Sequence, residues 1–231
     1  MAKKTMEPQY QSLVSLRAAQ GLTPLGLHAN QIWNDDPRRF LIMLSRYKFI
    51  AKMLSGKKNV LEVGCGDAFG SRLVLQEVGA LTAVDFDPIF IEDVRERMED
   101  RWKFDCRVHD IIKGPVPGKF DAAYSLDVLE HIPKRHEDRY MSHICRSLTD
   151  RGVLIVGIPS IQSQAHASQR SKQGHVNCKN DGDFRKLILK YFDDCFLFSM
   201  NDEVVHTGYY PMAHYLLALA SGKKRSPKIR P

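Results

Sequence analysis

The stretch Asn59-Val60-Leu61-Glu62-Val63-Gly64-Cys65-Gly66-Asp67-Ala68-Phe69-Gly70 constrains the fold more than any other in the chain. A short aliphatic, β-branched run that meets glycines at once reads as a buried strand ending in a tight turn. From Ser71 to Val78 the apolar residues take a helical spacing, so strand, turn and helix follow in order. Such a unit buries its strand only when helices cover both faces of a sheet.

The alternation continues. Leu81 to Asp85 is a second buried strand, and Asp87-Pro88 supplies an N-cap and a first-turn proline for a helix turning Phe90, Ile91, Val94 and Met98 inward. Strands are predicted at Cys106 to His109, Phe120 to Ser125 and Gly152 to Ile158, with a helix around Arg139 to Leu148. A helix with Phe184, Leu187, Ile188 and Tyr191 follows, then strands at Cys195 to Met200 and His214 to Ala220. Before the glycine loop, Phe40 to Leu54 is an amphipathic helix stopped by Gly56. The fold class is α/β, a Rossmann-like doubly wound sheet, mostly parallel, with helices on both faces.

The length of 231 residues suits one domain with appendages, expected at 36–222. Residues 1–35 are a segment able to close over a site, and the polar stretch 160–180 is an insertion or lid. Residues 223–231 are a basic tail: Lys223, Lys224, Arg225, Lys228 and Arg230 supply five of the +7 net charge, leaving about +2 elsewhere. A solvated end is the expectation there, with an RNA or acidic surface the alternative. No apolar run approaches the roughly 18 residues of a membrane helix, and Met1-Ala2-Lys3-Lys4 has no apolar stretch behind it. Cys65, Cys106, Cys145, Cys178 and Cys195 are widely spaced, without the C-x-x-C pair of a zinc site. Reduced thiols in a cytoplasmic, soluble protein without a metal are therefore expected.

Ligands of doubly wound sheets lie at the carboxyl ends of the strands, beside the reversal of strand order. Three features fall at such ends: the loop from Glu62 to Gly70, Asp85-Phe86 nineteen residues beyond Gly66, and Asp110-Ile111. A carboxylate at Asp85 can accept both hydroxyls of a ribose, the shared logic of adenosine cofactors. The glycines alone leave a dehydrogenase open.

With Glu62 before the glycines and Asp127-Val128-Leu129-Glu130-His131-Ile132 after the fourth strand, the sequence resembles class I S-adenosylmethionine-dependent methyltransferases. The likeness is to the small-molecule branch that includes the ubiquinone-biosynthesis enzymes, and it spans residues 40–160. It implies a seven-stranded sheet with the last strand antiparallel and S-adenosylmethionine as cofactor. It places Glu62, Gly64, Cys65, Gly66 and Asp67 at the methionine part, Asp85 and Phe86 at the ribose, Asp110 and Ile111 at the adenine, and Ser125, Leu126 and Asp127 beside the sulfonium. Arg46 matches a position able to meet the cofactor's carboxylate. Ala68 stands where a third glycine is usual, and Gly70 can restore close helix packing.

In-line positioning supplies much of the rate of methyl transfer, and an alcohol acceptor gains from a base. His131, His166, His175 and His206 are the catalytic candidates, each with a structural reading beside it. The polar segments at 160–180 and 200–214 suit a small hydroxylated acceptor such as a sugar or glycan precursor. The alternatives are an RNA or protein methyltransferase and a binding module without catalysis. Ser125-Leu126-Asp127-Val128 stands where base-methylating enzymes carry an Asn/Asp-Pro-Pro-aromatic motif, so a nucleic-acid partner is not expected. Neither a membrane partner nor a particular oligomeric state is implied.

Overall fold

A computed structural model describes residues 4–225. Its strands are β1 Val60–Val63, β2 Leu81–Asp85, β3 Asp105–Val108, β4 Phe120–Leu126, β5 Leu148–Pro159, β6 Phe192–Asn201, β7 Val204–His206 and β8 Tyr215–Lys223. They form one sheet in the order β3-β2-β1-β4-β5-β8-β6-β7. β1 pairs in parallel with both β2 and β4, so the strand order reverses at β1 and a crevice opens between the carboxyl ends of β1 and β4. β8 runs antiparallel between β5 and β6.

The expected antiparallel last strand is present, but the sheet has eight strands rather than seven. The addition is β7, which folds back on β6 to pair Ser199 with His206. Asp202 makes that reversal in the left-handed region at φ 48°, a conformation that Asp tolerates better than most residues.

The helices are α1 Gln11–Gln20, α2 Leu27–Asp35, α3 Pro37–Met53, α4 Ser71–Leu75, α5 Pro88–Glu96, α6 Glu137–Ser147, α7 Gln169–Gly174 and α8 Asp181–Leu189. Asp36 accepts from the Arg38 amide to cap α3, and Asp87 accepts from the Ile89 amide to cap α5. Pro37 and Pro88 follow at the first helical position, where a missing N–H costs nothing.

Strand alternation sends successive residues to opposite faces. Leu61 and Val63 pack with Tyr140, Met141 and Ile144 of α6 and Phe184, Leu187 and Ile188 of α8. Val60 packs on the other face with Ile50 and Ala51 of α3 and Val74 of α4. Full burial of a side chain such as Phe184 contributes about 2–3 kcal/mol.

The segments without periodicity also have structure. The N-terminal stretch contains α1, which buries nothing, and α2, which buries Ala29 and Ile32. Residues 160–180 hold a 3-10 turn at Gln162–His166, then α7, then an extended strap. That strap is pinned where Lys179 pairs with Glu137 of α6 and donates to Asn177 at 3.0 Å, all three buried.

The basic end needs correction. Lys223 closes β8 and donates to the carbonyl of Leu148, while Lys224 donates to that of Leu189. Both serve the body of the fold rather than a solvated tail. Lys228 and Arg230 lie outside the described residues. No helix among the described residues is long and apolar enough to cross a membrane.

Candidate functional site

The crevice between β1 and β4 is floored by the glycine loop. Gly64 sits at φ 77°, and a Cβ there would lie 2.2 Å from the Val128 side chain, so the loop and the segment after β4 touch through bare backbone. Gly66 sits at φ 52°, and a Cβ there would meet no protein atom within 4 Å. Its backbone is therefore open to a ligand. Gly70 does a different job, since a Cβ on it would strike the Tyr47 ring at 2.3 Å. That contact is the close helix packing expected of it.

Glu62 lies fully buried beneath the loop. One carboxylate oxygen accepts from Tyr47 Oη at 3.0 Å, and the other accepts from the Ser71 hydroxyl. Burial raises its pKa to about 7, against the hydrogen bonds from Ser71 and Tyr47. Glu62 thus clamps α3 and α4 under the loop and acts on a ligand through that positioning.

Asp85, at the end of β2, accepts from the Gly66 amide at 2.9 Å and the Asp87 amide at 3.0 Å. A carboxylate offers about four acceptor sites, so two remain for a ribose. Phe86 beside it is 71% exposed, an apolar ring open to stacking. On the next strand end, Asp110 accepts from the Ile112 amide and pairs with Lys113, and Ile111 is buried.

Other expected contacts are committed elsewhere. Asp67 accepts from the Ala29 amide at 2.6 Å, which fastens the start of α2 to the loop. Ser125 donates to the Val63 carbonyl at 2.8 Å and ties β4 to β1, while Leu126 belongs to the core. Its contact with Cys106, and then burial, hold the Cys65 thiol protonated, as suits a packing residue.

Arg46 does not project freely into the crevice. One guanidinium nitrogen lies within 2.8 Å of both Asp127 carboxylate oxygens, and its Cζ sits 3.8 Å above the Tyr215 ring. Burial opposes its charge, and Asp127 outweighs that. Asp127 is itself at φ 57°, with its amide donating to Gly157.

Around Arg46, four buried polar atoms have no partner: Arg46 Nε, Glu130 Oε2, His214 Nε2 and Tyr215 Oη. Burial and Asp127 push the Glu130 carboxyl well up, whereas burial and Arg46 push the His214 imidazole down, leaving it neutral. His214 and Tyr215 were not site residues on sequence grounds. They open an apolar run that reads as an ordinary core strand.

Of the four histidines, two come together. His131 and His175 pack edge to face at 5.1 Å between ring centroids, next to Glu130. His166 is exposed on its 3-10 turn. His206 is on β7, four strand positions from β4 or roughly 19 Å of sheet, and bonds to Asn201 and the Gly208 amide.

Bare backbone at Gly66, a carboxylate at the second strand end and an apolar edge at Phe86 and Ile111 suit a group with a ribose and a flat base. Residues 60–152 match the model of a methyltransferase domain. The ubiquinone biosynthesis O-methyltransferase of Xanthomonas campestris is 31% identical over 136 residues, covering 55% of this chain and 56% of that protein. A probable S-adenosylmethionine-dependent methyltransferase of Mycolicibacterium smegmatis is 27% identical, covering 49% and 42%. The chain thus spans about half the length of the curated relatives it matches.

Among solved structures, the N-methyltransferase NodS of Bradyrhizobium japonicum with S-adenosylhomocysteine superposes with a TM-score of 0.62 at 17% identity, over 94% of this chain and 100% of that one. A methyltransferase of Clostridium acetobutylicum gives 0.68 at 12% identity, over 84% and 98%. Motif order, strand topology and domain match agree: residues 60–152 match a methyltransferase domain, and the chain has the fold of S-adenosylmethionine-dependent methyltransferases.

Proposed function

We propose that the chain transfers the methyl group of S-adenosylmethionine to a hydroxyl of a small polar molecule, with carbohydrates the first class to assay. The cofactor supplies an electrophilic methyl on a sulfonium. Glu62, Gly64, Gly66, Asp85, Phe86, Asp110 and Ile111 would hold it, with Asp127 and Arg46 beside the reacting end. The reading is carried by the four unpaired polar atoms around Arg46. Buried donors and acceptors without partners are rare in native proteins, and a polar ligand would satisfy them. Orientation of an acceptor by such groups lowers the barrier chiefly through positioning. His214, neutral and with its Nε2 unpaired, is the residue suited to take the hydroxyl proton. The names of the ubiquinone O-methyltransferase relatives favour oxygen as the acceptor atom.

The test is incubation with methyl-labelled S-adenosylmethionine and separate panels of sugars, nucleotide sugars, phenols, amines and RNA. Label on a hydroxyl compound is expected. Label on phenols alone would remove the carbohydrate assignment, and label on amines or RNA alone would remove the hydroxyl acceptor.

A further inference from the structure

The two segments that meet at the mouth of the crevice, residues 131–136 and 160–180, hold no aspartate or glutamate. The first offers Lys134 and Arg135 and the second Arg170 and Lys172, all four exposed. The segments are joined beside the crevice. His131 Nδ1 lies 3.0 Å from the Gly174 carbonyl oxygen, and the Val176 and Asn177 amides donate to the Glu130 carbonyl at 2.8 and 3.0 Å. Arg170 and Lys172 stand on α7 shortly before Gly174, and Lys134 and Arg135 follow shortly after His131. With at most about 3.6 Å of chain per residue, each of the four backbones lies within roughly 14 Å of that join. The strap is fixed in place from below, where Lys179, Asn177 and Glu137 are buried and bonded to one another.

The carboxyls around the join are already neutralised. Asp127 pairs with Arg46, Glu137 with Lys179, and Asp138 with Lys190 at 3.5 Å. Burial, and then Asp127, favour the neutral acid form of Glu130. Among the described residues, Lys134, Arg135, Arg170 and Lys172 make no ion pair. Arg135 Nε donates to His136 Nε2 at 3.2 Å and Lys172 Nζ to the Ala165 carbonyl at 3.3 Å, which leaves both with donors to spare. Like charges gathered without counter-ions repel one another, and an anion bound among them relieves that repulsion.

Inside the crevice the balance is different. Arg46 and Asp127 cancel, and Glu130 and His214 are held neutral. A neutral interior with unpaired polar atoms suits hydroxyls, and a cationic mouth suits an anion attached to them. Phosphate fits such a mouth, since arginine makes paired N–H···O bonds to it and lysine meets it as a point charge.

We propose that Lys134, Arg135, Arg170 and Lys172 form a phosphate subsite at the mouth of the crevice. The acceptor is then a phosphorylated or nucleotide-linked sugar, held there by its phosphate while a sugar hydroxyl enters the crevice. That identity rests on the methyl-transfer reading above, whereas phosphate binding does not.

The test titrates inorganic pyrophosphate, UDP-glucose and glucose by calorimetry into the full chain with excess S-adenosylhomocysteine. Pyrophosphate and UDP-glucose should bind at least about tenfold tighter than glucose, and the advantage should shrink as salt rises from about 0.02 M to 0.2 M. K134Q/R135Q and R170Q/K172Q should each weaken pyrophosphate about fivefold or more. All four positions are exposed, so S-adenosylhomocysteine affinity and thermal unfolding should stay near wild type. K57Q/K58Q removes the same charge just before β1, at the far end of the strands, and should leave pyrophosphate binding unchanged. If pyrophosphate binds no tighter than glucose, or if K57Q/K58Q weakens it as much as the other two pairs, the subsite is overturned. Capture by phosphatidylglycerol vesicles without binding of pyrophosphate would assign the patch to a membrane surface and overturn it equally. Failure of the wild type to bind S-adenosylhomocysteine would instead strike the methyltransferase reading and leave the pyrophosphate result standing.

Discussion

Arg46 of α3 and Asp127 after β4 meet across 81 residues of chain, one guanidinium nitrogen lying 2.8 and 2.6 Å from the two carboxylate oxygens. The pair joins the helix before the glycine loop to the segment that follows β4. It also fixes Asp127 in a left-handed backbone conformation that an aspartate adopts at some cost. Asp127 is 39% exposed at its side chain, so the pair is screened on one side. Removing a fully buried partner costs about 3–5 kcal/mol, and the exposure lowers the expectation for R46M to about 2 kcal/mol. Urea unfolding of R46M and R46K measures it. An unchanged midpoint in R46M would show that the pair contributes nothing.

Glu62 gives the fold a pH dependence of defined sign. Its folded pKa is about 7, against 4.5 as the ordinary value. Between those values the unfolded chain has released the proton while the folded chain still holds it. Stability therefore falls as pH rises through that window, by about 3 kcal/mol in all, and levels off above it. E62Q has no such proton to lose, so the difference between wild type and E62Q should show this slope. Parallel stability curves for the two proteins, across the same window, would contradict the assignment.

Lys179 and Glu137 form a buried pair, each 9% exposed at its side chain, and they anchor the strap that carries His175. K179M leaves a buried carboxylate uncompensated and should cost about 3–5 kcal/mol. The double variant E137L/K179M should recover much of that loss, because an apolar pair needs no compensation. Thermal unfolding of both variants decides the matter, and equal losses in the single and double variants would show that the charge pairing is irrelevant.

The parts legible in the sequence carry their signals locally. β1 and β2 are aliphatic runs that end in glycine or aspartate, and Asp87-Pro88 caps α5 as its chemistry requires. β7 escaped notice because its three residues are not apolar and depend on a left-handed turn at Asp202. Lys223 and Lys224 looked like a tail because charge suggests solvent, yet their ammonium groups meet carbonyls contributed by distant elements. Asp67 shows the same gap. Its place in the motif says nothing of Ala29, 38 residues before it, whose amide it binds. His214 could be recognised only once Arg46 was seen beside it.

The most direct test of the central claim is calorimetric titration of S-adenosylhomocysteine, and separately of NAD, into the wild-type chain and D85A. Asp85 holds the Gly66 amide and keeps acceptor sites for a ribose, so its loss should weaken S-adenosylhomocysteine by more than about 1.4 kcal/mol, or tenfold. The account predicts saturable binding of S-adenosylhomocysteine by the wild type, tighter than NAD and impaired in D85A. Tighter binding of NAD, or unchanged S-adenosylhomocysteine affinity in D85A, would contradict it.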